Sequence, residues 1–289
     1  MKYAFIEQNE CDVPVNRQCK WLGVSTSGYY DWLQRKGRCS ERAQRQAVVD
    51  EAVRIAFKKR RARYGSPRLT TELVESGFSV AENTVAESLR RQGLVAKAGR
   101  RFKATTNSRH SLPVAENLLN QDFSCSRIDE KWCGDITYLW TDEGWMYLAA
   151  VIDLYSRRVI GWSMDVRMTK QLVCDAMAMA INTRGGSLNQ TVMHTDRGSQ
   201  YCSKRFQRQL RRHGIRSSMS ARGNCYDNAC AESFFHSLKV EAIHGENIST
   251  RAQMRTAVFE YIEADYNTHR HHTSIGNQSP VAFELKNAA

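Results

Sequence analysis

Between Trp132 and Met164 three apolar segments follow one another with only short turns between them. Trp132 to Trp140 (WCGDITYLW) reads as a strand, and Asp142-Glu143-Gly144 turns the chain into a second, Trp145 to Ile152. Asp153 to Arg157 turns it again into a third, Arg158 to Met164. Connections this short join antiparallel neighbours, so the stretch predicts a three-stranded meander and excludes an all-helical chain. The pattern then alternates. Thr169 to Thr183 is a helix with Leu172, Ala176, Met179 and Ala180 on one face. Thr191 to His194 is a short strand, Ser203 to His213 a basic helix, and Ile215 to Met219 a fifth strand. Asn228 to Glu241 is a helix, followed by a helical tail through about residue 267. That order predicts an α/β, ribonuclease-H-like core: a mixed five-stranded sheet with helices.

Three carboxylates stand out against this frame. Asp135 sits inside an apolar strand, where a carboxylate is costly unless paired or bound to a metal. Asp196 lies just past the fourth strand, in HTDRGSQY, and Glu232 lies early in the helix that follows NCYDNA. If the first and fourth strands are neighbours, Asp135 and Asp196 come close, and the later helix can bring Glu232 to the same edge. Three such groups repel, and a divalent cation removes the penalty. Hard oxygen donors suit Mg2+ or Mn2+, and two ions about 3.5–4 Å apart can clamp both oxygens of an in-line displacement at phosphorus. Among 30 acidic residues some triple would match by spacing alone, so placement on two strands and a following helix carries the reading. Glu232, His236 and Lys239 are spaced four and three apart and share a helix face, so Lys239 is a candidate to hold a phosphate there; an ordinary surface Glu-to-Lys arrangement is the alternative.

Charge decides the partner. The chain carries 42 Lys and Arg against 30 Asp and Glu, and residues 1–112 hold 22 of the cations against 11 acids. Such asymmetry describes a binding arm joined to a body with another task. Lys58, Lys59, Arg60, Arg61 and Arg63 form one cluster; Arg100, Arg101 and Lys103 form another inside a linker-like stretch. The excess points to a polyanion, nucleic acid or an acidic membrane surface, and the two clusters with the overall asymmetry favour nucleic acid; the longest apolar run, Met146 to Ile152, is far short of the ~20 residues of a membrane span. Two helix-turn-helix candidates precede the linker. One spans about 11–35, with Gly23 as the break and Ser25 or Thr26 as a cap. The other runs from a basic helix, Gln44 to Arg63, carrying Val48, Val49, Val53, Ile55 and Phe57, through Leu69–Glu75 to Glu82–Gln92, where Val85 and Leu89 face inward. The expected organisation is a helical DNA-binding region (1–98), a basic linker (99–122), a catalytic core (123–242) and a helical tail (243–289).

Other chemistry is less favoured. Nine cysteines without a CxxC motif point away from a disulfide framework and toward a reducing cytoplasm, and Cys225 and Cys230 read as structural. No histidine precedes His110, which excludes a His/Cys zinc module at the start, and no GxxxxGK[ST] is present. His269, His271 and His272 fit no compact ligand set and read as a polar, phosphate-contacting loop.

At this point whole strings become informative. DITYLW at Asp135, YLAAVIDLYSRRVIGW from Tyr147, HTDRGSQY from His194 and SMSARGNCYDNACAESFFHSLKVE from Ser218 resemble the OrfB transposases of the third numbered family of bacterial insertion sequences. So do RRFKATTNSRHSLPVAENLL, YNTHRHHTSIGNQSPVAFE, LGVSTSGYYDW and RYGSPRL, so the likeness covers nearly the whole chain. It implies a DDE transposase, a polynucleotidyl transferase related to retroviral integrases. Asp135, Asp196 and Glu232 fall on the family's catalytic, metal-binding acids and Lys239 on its basic residue. The implied partners are double-stranded DNA, both insertion-sequence ends and target, further copies of the chain on that DNA, and the OrfA product. OrfA supplies a zipper and a terminal-repeat reader in a frameshifted OrfA–OrfB fusion, and this chain has no zipper heptads of its own. The implied place is the bacterial cytoplasm, at the nucleoid and not a membrane. Two alternatives stay open: a DNA-binding regulatory protein, or a partial transposase weak without OrfA. A plain nuclease of this fold would not need the basic arm.

Overall fold

Helix α1 (Lys2–Gln8) precedes two helices whose ends are legible locally. Gly23 adopts the left-handed conformation after α2 (Val15–Leu22), and the Ser25 hydroxyl accepts from the Gly28 amide to start α3 (Thr26–Arg35). Ile6, Val15, Cys19 and Tyr29 form their core. Then come α4 (Glu41–Lys59), α5 (Ser66–Glu75) and α6 (Glu82–Arg91), around Val53, Leu69 and Val85, none of which is exposed. The computed structural model describes residues 1–9, 13–37, 40–97, 113–220 and 229–287, and these helices make up the first of two units, 1–95 and 96–289. Helix α4 ends before the expected Arg63. Arg61 and Ala62 are both left-handed, with their amides closing on the carbonyls of Lys58 and Phe57. Of its apolar residues Val49, Val53 and Phe57 turn inward, whereas Val48 and Ile55 stay exposed.

The second unit is built on one sheet: β1 (Lys131–Thr141), β2 (Gly144–Asp153), β3 (Val159–Asp165), β4 (Val192–Thr195) and β5 (Arg216–Met219). Its order is β3-β2-β1-β4-β5, an antiparallel meander with two parallel strands added beside β1. On one face Trp132, Val151 and Ile160 pack with Leu172 and Met177 of α7 (Lys170–Arg184) and Phe206 of α8 (Lys204–Arg212). Helix α7 approaches β3 so closely that a Cβ on Gly161 would stand 2.3 Å from the Ala176 carbonyl oxygen and 2.5 Å from the Ala180 nitrogen. On the other face Cys133, Leu139, Leu148 and Ile152 lie under α9 (Ala229–Leu238) and α10 (Arg251–Phe259). This arrangement is the ribonuclease-H-like fold, with a helical region before it and helices after it.

Both covering helices loosen into π-helical turns, Lys239–Ile243 after α9 and Glu260–Tyr266 after α10. A buried network joins them: Tyr261 donates to Glu241 at 2.9 Å, and Arg270 ion-pairs with the same carboxylate at 2.8 Å. A last helix, α11 (Pro280–Asn287), lies within the expected helical tail, beyond the residue near 267 to which the helical pattern had been followed. Its Glu284 is buried against Arg158, Arg184 and Ser156, and Arg184 also reaches Asp129 and Asp153.

Candidate active site

Register places the two aspartates. The parallel pairing of β1 with β4 runs through Gly134 opposite Thr195, so Asp135 and Asp196 each follow one residue beyond the last matched pair. Parallel neighbours in register point to the same face, with strands about 4.8 Å apart. That face carries Cys133 and Leu139 and is covered by α9, whose first turn bears Glu232. Asp135 and Asp196 are half-buried and Glu232 is exposed.

The electrostatics are those of a site short of positive charge. Burial, then the charge of Asp196 and more weakly that of Glu232, push the Asp135 carboxyl up to about 8, against one hydrogen bond from the Ile136 amide at 2.8 Å and the charge of Lys239. Burial raises Glu232 as well. Asp196 accepts from the Gly198 amide at 2.9 Å, and a Cβ at 198 would lie 2.9 Å from the same carboxylate oxygen, so a side chain there would shift it. Among the described residues no three acidic, histidine or cysteine side chains form a closed cation cage. The paired aspartates nevertheless offer hard oxygens whose mutual repulsion a divalent cation would relieve, so the donor set fits one.

Lys239 is half-buried where α9 gives way to its π-helical turn, with Nζ 4.9 Å from the centre of the Tyr138 ring. Burial lowers its ammonium below the usual value, and the charge of Asp135 opposes the shift. Tyr201, Cys133 and Arg157 were not singled out in the sequence, and Cys230 was read only as structural. Tyr201 is buried, and burial followed by the charges of Asp135 and Asp196 raises its phenol well above normal. Cys133 and Cys230 share a hydrogen bond that raises the first thiol and lowers the second. Arg157 donates to Cys230 Sγ at 2.9 Å. Cys230 thus touches the strand bearing Asp135, and Cys225 lies outside the described residues.

The basic residues separate. Lys58, Lys59 and Arg61 are exposed and Arg63 is half-buried. Arg60, expected at a DNA surface, is turned inward: it pairs with buried Glu72 at 2.7 Å and lies over the Tyr64 ring. Arg100 and Arg101 lie outside the described residues. His271 is buried, and His269 bonds the Ala264 carbonyl.

Comparison with known proteins decides the family. Residues 126–225 and 232–287 match two models of the integrase core domain, and residues 43–102 match an HTH-like domain. The chain is 56% identical over 289 residues, all of both chains, to the transposase InsF for insertion sequence IS3A of Escherichia coli K12. This chain belongs to the IS3 family of transposases. Another similar protein is the insertion element IS600 uncharacterized 31 kDa protein of Shigella sonnei, 41% identical over 93% of this chain and 97% of that one. Among solved structures, the HTLV-2 integrase catalytic core domain in complex with magnesium is 17% identical, covering 54% of this chain and 95% of that one, with a TM-score of 0.40. This IS3-family transposase is accordingly a DDE-type polynucleotidyl transferase that serves DNA transposition, and its integrase core and HTH-like domain imply DNA as the partner. Among its described residues no helix is long and apolar enough to cross a membrane.

Proposed function

We propose that this transposase cuts DNA at the ends of its insertion sequence and joins those ends to target DNA, with Asp135, Asp196 and Glu232 as its catalytic acids. The observation that carries the reading is the β1–β4 register, which sets two aspartates side by side beneath the helix that bears Glu232. The three carboxylates would hold Mg2+ or Mn2+, which when bound supplies Lewis-acid stabilisation of charge at the reacting phosphate. The chain's own groups do the rest. The Gly198 amide fixes the Asp196 carboxylate, and the Ile136 amide fixes that of Asp135. Lys239, seated over Tyr138, sets a point charge near the acids to hold the phosphate beside the scissile bond.

The same reading assigns residues 1–98 to DNA binding through Lys58, Lys59, Arg61 and Arg63, with Arg100 and Arg101 in the linker 99–122. Residues 123–242 form the catalytic core and 243–289 its tail. It also assigns the OrfA product as partner, further copies of the chain as neighbours on DNA, and the nucleoid as the place of action. The test is to incubate purified chain, alone and as an OrfA fusion, with end-bearing DNA and Mg2+. Joined products, lost in Asp135→Asn, Asp196→Asn and Glu232→Gln while DNA binding persists, are expected. Near-normal joining by any one variant removes that residue from the set, and binding without any cleavage by the wild-type fusion favours a regulatory protein.

A further inference from the structure

Helix α8 and the first residue of β5 gather Lys204, Arg205, Arg208, Arg211, Arg212 and Arg216, with no acidic residue from Ser203 to Arg216. Without these six, residues 113–289 hold 14 Lys and Arg against 19 Asp and Glu, so the positive charge of this part of the chain is concentrated here. All six are exposed, while Phe206 and Leu210 are buried against the sheet. Arg205 donates to the Cys174 sulfur of α7, and among the described residues no carboxylate ion-pairs with any of the six. Helix stability does not account for them. The last turn suits Arg211 and Arg212, because the helix dipole is negative there, but Lys204 and Arg205 occupy the first turn, against its positive end. Like charges at 204, 208 and 212, one turn apart, also repel along the helix.

The other polar side chains of α8 are used internally. Gln207 Nε2 donates to the Tyr201 carbonyl at 3.0 Å and the Ser217 hydroxyl at 3.1 Å, and Gln209 Nε2 donates to the Cys174 carbonyl at 3.1 Å. The exposed residues of α8 are therefore Lys and Arg alone, without the amide side chain that reads an adenine edge. The helix also lies flat on the sheet beside α7, so its outer stripe can follow a DNA backbone but the helix cannot enter a groove. Its start is tied to the acids. Tyr201, three residues before Lys204, meets the Phe206 ring at 5.3 Å, and after burial it is the charges of Asp135 and Asp196 that raise its phenol. A turn at Gly214 returns the chain to β5, parallel to β4, so α8 runs from the acid edge of the sheet toward the opposite edge. Its nine residues span about 13 Å, roughly four phosphate steps of one strand.

We propose that the exposed stripe of α8, with Arg216, is the surface on which the core holds the phosphate backbone of target DNA. The inference rests on the strand-transfer reading above, which brings two kinds of DNA to the acids. An insertion-sequence end is one sequence and calls for groups that read bases. A target is any sequence, and a surface of phosphate contacts alone fits it.

The experiment uses the full chain, as the OrfA fusion where joining is measured. Binding to a random-sequence duplex without the ends is followed over a salt series, and joining of pre-cut ends is followed against target concentration. Lys204→Gln with Arg208→Gln and Arg212→Gln should make the salt slope shallower by about 3 and raise the half-saturating target concentration about 10- to 100-fold. The joining rate at saturating target and cleavage at the ends should stay at wild-type values. Arg208→Lys with Arg212→Lys should behave like the wild type, since a phosphate accepts a point charge. If the triple variant fails to fold, Arg211→Gln with Arg216→Gln should make the slope shallower by about 2. Unchanged slope and half-saturation in these variants overturn the proposal. A loss confined to end-bearing DNA also overturns it, as does an altered preference for target sequence, which would make the stripe a base reader. Intact DNA affinity with lost self-association or lost OrfA binding overturns it too, because the stripe is then a protein interface. A shallower slope on random duplex in a fusion that joins nothing would keep the DNA-binding surface and sink the strand-transfer reading.

Discussion

Two acidic clusters lie in the same unit and meet opposite fates. At one, Asp153, Asp129 and Glu284 surround Arg184, which ion-pairs with all three, and Arg158 adds a second cation to Glu284 at 2.7 Å. Asp153 is further satisfied by the amides of Asp129, Tyr155 and Ser156. At the other, beyond the effect of burial, Asp135 feels the charges of Asp196 and Glu232 more than that of Lys239, and its carboxyl is driven up to about 8. Buried acid is therefore not itself the mark of a site. Where arginine matches it, carboxylate is part of the scaffold. Where it is left in excess, folding has accepted a repulsion that a proton on Asp135 or a bound cation relieves.

The difference can be broken from either side. Arg184→Met should destabilise the fold by about 3–5 kcal/mol, since it strands buried carboxylates, whereas Asp135→Asn should leave the urea midpoint unchanged or raised. Equal destabilisation by the two would erase the distinction. Acid sharpens the contrast. Burial acts to raise Glu284, but hydrogen bonds from Arg184 and Ser156, with Arg charge, outweigh it and hold the carboxyl below its usual 4.5. A depressed acid contributes stability that is complete above its unfolded value and lost as pH falls through the folded one. Unfolding free energy should therefore drop below about pH 4.5, and Glu284→Gln should flatten that limb. The smallest effect is expected at Lys239: Lys239→Ala should slow single-turnover joining roughly 5- to 150-fold, and Lys239→Arg should recover much of it. Rates equal to wild type in Lys239→Ala would leave the acids without a phosphate-holding cation from this helix.

The strands and the antiparallel meander were legible because the signals are local, whereas the pairing of β1 with β4 could be written only as a condition. Short turns force antiparallel neighbours, and Asp135 interrupts an apolar alternation that nothing local excuses. The rest depends on partners far along the chain. Arg184 meets Glu284 across 100 residues, and Arg270 meets Glu241 across 29, so neither pattern shows in a window of sequence. The π-helical turn at Lys239 carries no periodic mark, and Arg60 looked like the other members of its basic run until Glu72 folded against it. Within the helical tail the start of α11 was not placed, although Ser279 and Pro280 are an ordinary helix start, with the serine hydroxyl accepting from the Ala282 amide.

The contact between β3 and α7 has a consequence best put in genetic terms. The Ala176 carbonyl and Ala180 amide that crowd Gly161 are the two ends of one helical hydrogen bond, so a methyl group at 161 would be driven into the bond itself. Every missense change from a glycine codon adds at least that methyl. Position 161 therefore has no mild alleles: an element copied with errors can drift at its exposed lysines, but any amino-acid change at this codon separates helix from sheet and removes the protein from service.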